Sequence, residues 1–275
     1  MDYSQLQQLA KNHYENFPVG SRFIPSRYRE AVHLVYAFAR VADDIADEGS
    51  FSSEERIERL NAWESLLLRS VNGDAADEFF TELAAVIERF RIPIRLFSDL
   101  IVAFRQDVEN PAYETFDEIL GYCRNSANPI GRIMLAIFSS ANEATEQLSD
   151  QICTALQLTN FLQDISVDTG RNRLYIAAEE LRKFGIDRTD FSHQGKQDAF
   201  TLLMKFQVER IRHMFADGQP LTTLVHKDLK YELKLILNGG LRILEKIEQI
   251  GYDTRKIRPA LTTVDAVRIA LRALR

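Results

Sequence analysis

The amino-acid sequence predicts an all-α fold, and three observations predict it. Apolar residues recur at three- and four-residue intervals through nearly the whole chain. Alternating strand runs joined by tight hairpins are missing. No linker rich in Ser, Gly or Pro divides the 275 residues, so 1–275 read as one helical domain.

The rhythm places helices at 29–47, 54–70, 75–90, 94–108, 115–123, 130–142, 147–167, 197–216, 228–250 and 262–274. Ser52 and Ser53 followed by Glu55, and Thr115 followed by Glu118, read as capping boxes that start two of them. The stops are "NGD" at 72–74, "ENPAYE" at 109–114, "DGQP" at 217–220 and "GYD" at 251–253. Pro129 in "ANPIG" predicts a helix break. The most irregular segment is 168–196, placed where a functional loop would follow a rigid scaffold.

Composition narrows the class. With 45% hydrophobic and 27% charged residues the chain is an ordinary globular sequence, neither disordered nor fibrous. Its net charge of −6, without a basic stripe, predicts no nucleic-acid partner. Cys123 and Cys153 are too few for a disulfide framework and lack metal-ligand spacing, which predicts a reducing, cytoplasmic setting. No signal peptide is read at the N-terminus, and no apolar run approaches the ~20 residues that span a bilayer. Peripheral contact with the inner face of a membrane stays open, and the basic final helix "VRIALRALR" is where it would occur.

Two stretches break the pattern: "YAFARVADDIADE" at 36–48 and "QLTNFLQDISVDTG" at 157–170. At about 100° per residue, Tyr36, Arg40, Asp43 and Asp47 share an arc of roughly 60° on a helix that is otherwise apolar nearly all round. Gln157, Asn160, Asp164 and Asp168 share about 80° of the second. Unpaired carboxylates in an apolar setting cost several kcal/mol or become neutral, and two facing pairs would repel. Acids at i, i+4 are ordinarily a solvated face. Here the apolar flanks, the recurrence and the Asn, Gln, Arg and Tyr companions point instead to a cation site. Oxygen ligands without His or Cys favour hard ions such as Mg²⁺, which commonly bridges carboxylates and substrate phosphates. Arg40 suits a phosphate oxygen.

With these residues in place, the chain resembles the squalene/phytoene synthase family over essentially its full length. The second motif, "NFLQDISVDTGRNRLYI", completes the paired D-x-x-x-D signature. Within the family, "ENFPVGSRFIPSRYREAVHLVYAFAR", "DDIADEG" and "GYDTRKIRPALTTVDAVRIALRAL" are similar to the bacterial hydroxysqualene synthases of hopanoid-linked squalene formation. The resemblance implies an isoprenoid-synthase-type helical bundle around a central cavity, with several Mg²⁺ ions and no NADPH. It implies conversion of presqualene diphosphate and water to hydroxysqualene and diphosphate. Asp43, Asp47, Asp164 and Asp168 match metal-binding carboxylates, Arg40 a diphosphate contact, Gln157 and Asn160 polar partners of the second motif, and Tyr36 and Tyr122 tyrosines lining the reaction cavity. Two departures stand out: Ala177 where many relatives have proline, and Gly239 or Gly240 where a tyrosine is expected.

Further roles follow from that chemistry. Arg171, Arg173 and Arg258 are additional candidates for the departing diphosphate. Phe17, Phe38, Phe161 and Tyr122 could offer ring faces to a carbocation. Asn160, Tyr175 and Asn125 are candidates to position the incoming water. The expected partners are a prenyl diphosphate substrate, a synthase that supplies presqualene diphosphate and a reductase downstream. Head-to-head condensation of two prenyl diphosphates is the alternative activity, and a non-catalytic helical partner of a sister synthase the alternative class. Other signals are discounted: "DTG" at 168–170 ends a helix and has no twin, the five histidines form no ligand spacing, Trp63 is packing, and no glycine-rich phosphate loop occurs.

Overall fold

The computed structural model describes residues 24–74, 77–193 and 195–274, and among them the regular structure is helical throughout. Phe17 lies outside the described residues. The long helices are α1 (Ser26–Asp47), α2 (Ser53–Val71), α3 (Glu78–Phe90), α4 (Arg95–Glu109), α5 (Phe116–Ser126), α6 (Asn128–Ile137) and α7 (Glu143–Gln163). The predicted irregular stretch contains three short helices, α8 (Ile165–Gly170), α9 (Ala178–Lys183) and α10 (Thr189–His193). Then come α11 (Gln197–Gly218), the single turn α12 (Leu221–Leu224), α13 (Lys227–Gln249) and α14 (Thr263–Ala273).

Local chemistry sets the starts. Ser52 and Glu55 form a reciprocal capping box at α2, as do Thr115 and Glu118 at α5. Asn142 with Thr145 starts α7 four residues before the predicted 147, and Asp77 delays α3 from the predicted 75 to Glu78. The predicted helix 130–142 stops at Ile137, because Ser139 turns into the left-handed region at φ 52°. Pro129 stands in the first turn of α6, where its missing N–H costs nothing, so the break falls just before it, at Ala127.

Packing centres on α7. From Ile152 to Ile165 only Gln157, Asn160 and Asp164 escape burial. α7 packs against α11, α6 and α13, while α1 packs against α4, α2 and α3. Gly240 permits the approach of α13: a Cβ there would meet Phe215 at 2.6 Å and Leu156 at 2.9 Å. Trp63 packs against Phe38, Phe79 and Phe80 and donates to the Phe38 carbonyl at 3.3 Å, which settles it as core. Both cysteines are buried free thiols. No helix among the described residues is long and apolar enough to cross a membrane.

Candidate functional site

Two helices carry the site in the same order. On α1, Val32, Val35, Tyr36 and Ala39 form wall, and Arg40, Asp43 and Asp47 follow toward the C-terminal end. On α7, Ser149, Ile152, Cys153 and Leu156 form wall, and Gln157, Asn160 and Asp164 follow. The wall residues enclose a cavity of about 260 Å³, completed by residues such as Met134, Leu229 and Ile236. Its lining is apolar apart from Tyr36, Ser149, Cys153 and the buried Glu232. The side chains at the polar ends are half-buried rather than sealed inside.

That half-burial corrects one expectation. The carboxylates are not unpaired in an apolar interior; arginines meet them. Arg40 reaches Asp43 at 3.2 Å and Asp44 at 2.7 Å along its own helix, and Glu48 just past its end at 3.1 Å. Arg173 grips Asp47 with two bonds, of 2.9 Å and 2.6 Å, and Arg171 adds a weaker contact at 3.3 Å. Arg258 pairs with Asp164. The three arginines singled out beside Arg40 thus all converge on the acidic residues.

A second correction concerns the helix under the second stripe. Asp164, with φ −100° and ψ 10°, leaves helical geometry and separates α7 from α8. Asp168 therefore belongs to a separate six-residue helix rather than to a continuous face from Gln157. The loop after α13 grips the joint: Gln163 Nε2 donates to the Pro259 carbonyl at 2.6 Å beside the Arg258–Asp164 pair.

The two stripes share one electrostatic environment. Burial pushes the Asp168 carboxyl up to about 6, and the negative charges of Asp164 and Asp47 add to the effect against Arg173 and Arg171. Among the described residues no three acidic, His or Cys side chains converge tightly enough to hold an ion in this arrangement. The donor set nonetheless fits a hard divalent cation, since Asp43, Asp47, Asp164 and Asp168 offer carboxylate oxygen with no His or Cys among them. Closing around one would require the arginines to release Asp47 and Asp164.

Beside this end lies an aromatic cluster that sequence reasoning found only in part. Tyr122 donates to both oxygens of Asp107, at 2.9 Å and 3.0 Å, and Tyr175 donates at 3.0 Å. Phe161 stacks on Tyr175 with centroids 3.9 Å apart. Burial raises the Asp107 carboxyl to about 7, while the tyrosine bonds and Arg173 pull the other way. Arg173 also donates to the Asp107 carbonyl at 3.2 Å, so it joins this cluster to Asp47. Asp107 had a signal: it continues the buried stripe Leu96, Leu100, Ala103 of α4, where a carboxylate is out of place.

The remaining candidates divide. Tyr122 is buried on Asp107, outside the lining of the cavity, whereas Tyr36 is part of that lining. Phe38 is sealed in the core against Trp63 and Phe97, which removes it as a cavity residue. Asn125 is half-buried on α5, one turn beyond Tyr122. Of the two glycines at the expected tyrosine position, Gly240 has no room for a side chain, while Gly239 faces open space. Ala177 is fully buried immediately before α9.

The sequence matches the squalene/phytoene synthase family across residues 10–265. It is 35% identical to a hydroxysqualene synthase of Rhodopseudomonas palustris, with 84% of this chain and 78% of that protein aligned. It is 31% identical to a phytoene synthase of Mycobacterium tuberculosis, over 92% of this chain and 85% of that one. The crystal structure of the squalene synthase HpnC from Alicyclobacillus acidocaldarius superposes with a TM-score of 0.85 at 36% identity, covering 90% of this chain and 94% of the other.

Proposed function

The chain belongs to the squalene/phytoene synthase family, and from that premise we propose that it converts presqualene diphosphate and water to hydroxysqualene and diphosphate. It is an enzyme of that family with its all-α isoprenoid-synthase fold. One observation carries the finer reading: α1 and α7 each run from the wall of an apolar cavity to a polar, acidic end. A substrate with long hydrocarbon arms and a diphosphate head matches that order. The 35% identity to a hydroxysqualene synthase favours water capture over the other family outcomes.

In this reading the C–O bond to diphosphate breaks, and the electron pair leaves with the diphosphate. The cyclopropane ring of the cation opens by breaking a C–C bond. A water oxygen then bonds to the resulting carbocation and gives up its proton, so no oxidant or reductant is consumed and no NADPH is needed. Asp43, Asp47, Asp164 and Asp168 would hold Mg²⁺. Bound there, the ions would supply Lewis-acid neutralisation of the leaving group. Arg40, Arg171, Arg173 and Arg258 would turn from the carboxylates to diphosphate oxygens, where guanidinium forms paired hydrogen bonds. Gln157 and Asn160, the two polar positions on the half-buried seam of α7, would orient the head group. Tyr36 and the apolar wall would keep bulk water from the cation, and Tyr36, the aromatic ring in that lining, would present its face to it. The reaction needs a synthase that supplies presqualene diphosphate and a reductase that removes the new hydroxyl.

Incubation of the purified chain with presqualene diphosphate, Mg²⁺ and ¹⁸O-water, without reductant, tests this. The expected product is hydroxysqualene carrying the label, identified by mass spectrometry. Unchanged substrate beside an active control would overturn the proposal. The phytoene synthase likeness favours a second reading, head-to-head condensation of two prenyl diphosphates. Turnover of farnesyl or geranylgeranyl diphosphate alone would select it.

A further inference from the structure

α14 is held in one rotational setting by its inner face. Asp265, 2% exposed, accepts from Arg242 at 2.6 Å, pairs with Lys246 at 2.9 Å and closes the capping box with Thr262. Ile269 and Ala273 are buried beside it, and α14 packs on α13. The opposite face is therefore fixed outward. Val264, Val267, Leu271 and Leu274 lie there within an arc of about 80°, and they are between 56% and 71% exposed. The loop leading into the helix adds exposed Ile257 and Leu261. Six of the thirteen exposed large apolar side chains among the described residues thus fall in positions 257–274.

Charge accompanies this patch. Residues 254–275 contain six basic side chains and one acidic in a chain whose total is −6, with Arg255 and Lys256 held by Asp253, Arg258 by Asp164 and Arg272 by Glu245 of α13. The single acid is the buried Asp265, so the outer surface of the described part of this segment shows no carboxylate. Arg268 and Arg272 project about 40° and 80° from Val264, between the apolar stripe and the buried face.

We propose that this face docks on an anionic phospholipid bilayer. The aliphatic stripe enters the boundary between head groups and acyl chains, exposed Arg268 extends to a lipid phosphate, and Arg272 would reach one by exchanging its 2.7 Å pair with Glu245. A second copy of the chain fits less well, because its stripe would bring like charges together. A nucleic acid would leave the apolar stripe without a counterpart. The placement suits an apolar substrate: the loop carrying Ile257 and Leu261 also supplies Arg258 to Asp164 and the Pro259 carbonyl to Gln163. The docking face and the acidic end of the site are thus joined by one short loop.

Flotation of the full chain with vesicles tests this without any catalytic readout, so it stands or falls apart from the proposed reaction. The chain is expected to float with phosphatidylglycerol-containing vesicles at low salt, to be released as salt rises, and to remain behind with pure phosphatidylcholine. V267E/L271E should lower the bound fraction at least tenfold with an unchanged far-UV circular dichroism spectrum. R268E, at an exposed position, should lower it about fivefold or more, and it decides the matter if the double variant loses helix content. Wild-type chain that fails to float with anionic vesicles overturns the proposal. So does binding that survives folded V267E/L271E, or a dimer formed through this face that excludes vesicles.

Discussion

The acidic stripe of α1 lies on one unbroken helix, whereas that of α7 and α8 crosses a joint at Asp164. The difference extends to their arginines. Arg40 meets Asp43 and Asp44 three and four residues along its own helix, so folding α1 is enough to form those pairs. Asp47 and Asp164 take Arg173 and Arg258 from segments 126 and 94 residues away. One stripe is a fixed rail. The other is a jointed arm, and arginines from irregular segments meet both, Arg173 at the end of the rail on Asp47 and Arg258 at the joint on Asp164. Such a division suits a site that must first neutralise itself and then rearrange around a charged head group.

The largest expected effect breaks the comparison at its acids. Asp47→Asn and Asp164→Asn should each lower turnover of presqualene diphosphate by about 10²–10³-fold at saturating Mg²⁺. Asp44→Asn, adjacent in sequence but held by Arg40 off the proposed metal stripe, should cost far less. Single-turnover product formation measures all three. Equal losses at Asp44 and Asp47 would show that the stripe acts only through its summed charge.

The arginines sharpen the same contrast. Arg173 and Asp47 are both largely buried and doubly bonded, so Arg173→Ala should cost about 2 kcal/mol of stability. Arg258 is 44% exposed, and Arg258→Ala should cost less than about 1 kcal/mol. Urea midpoints compare them. A destabilisation by Arg258→Ala as large as that by Arg173→Ala would mean that the joint at Asp164, rather than the bridge to Asp47, locks this end of the molecule.

What could be read in the sequence follows the same division. The α1 stripe was legible because its spacing, its arginine and its apolar flanks all lie within one helix, where a projection at about 100° per residue holds. The second stripe was legible in composition but not in geometry, since no local signal announces that Asp164 leaves the helix. Helix starts were legible where Ser52 or Thr115 faced a glutamate. They were displaced where Asn142 paired with Thr145, a cap outside the simplest pattern. The arginine pairings of Asp47 and Asp164, and the exclusion of Phe38 from the cavity, depend on contacts between distant segments and have no sequence signature. Asp107 lay between these cases, visible as a misplaced acid in a buried stripe while its tyrosine partners were not.

Asp107 yields an effect read only as a pH slope, and one that separates it from both stripes. Its carboxyl is raised from 3.8 to about 7, first by burial. The folded chain therefore holds this proton more tightly than the unfolded chain does. The stability it contributes is fully present below about pH 4 and is lost as pH rises through 7. Asp107→Asn removes the titration but keeps an oxygen to accept from Tyr122 or Tyr175. Between pH 5.5 and 7.5 the wild type should lose on the order of 1 kcal/mol more stability than the variant. Urea unfolding at several pH values across that window measures the two slopes. If they run parallel, Asp107 is already ionised at the low end, and the charge of Arg173 outweighs burial at the point where the aromatic cluster meets the α1 stripe.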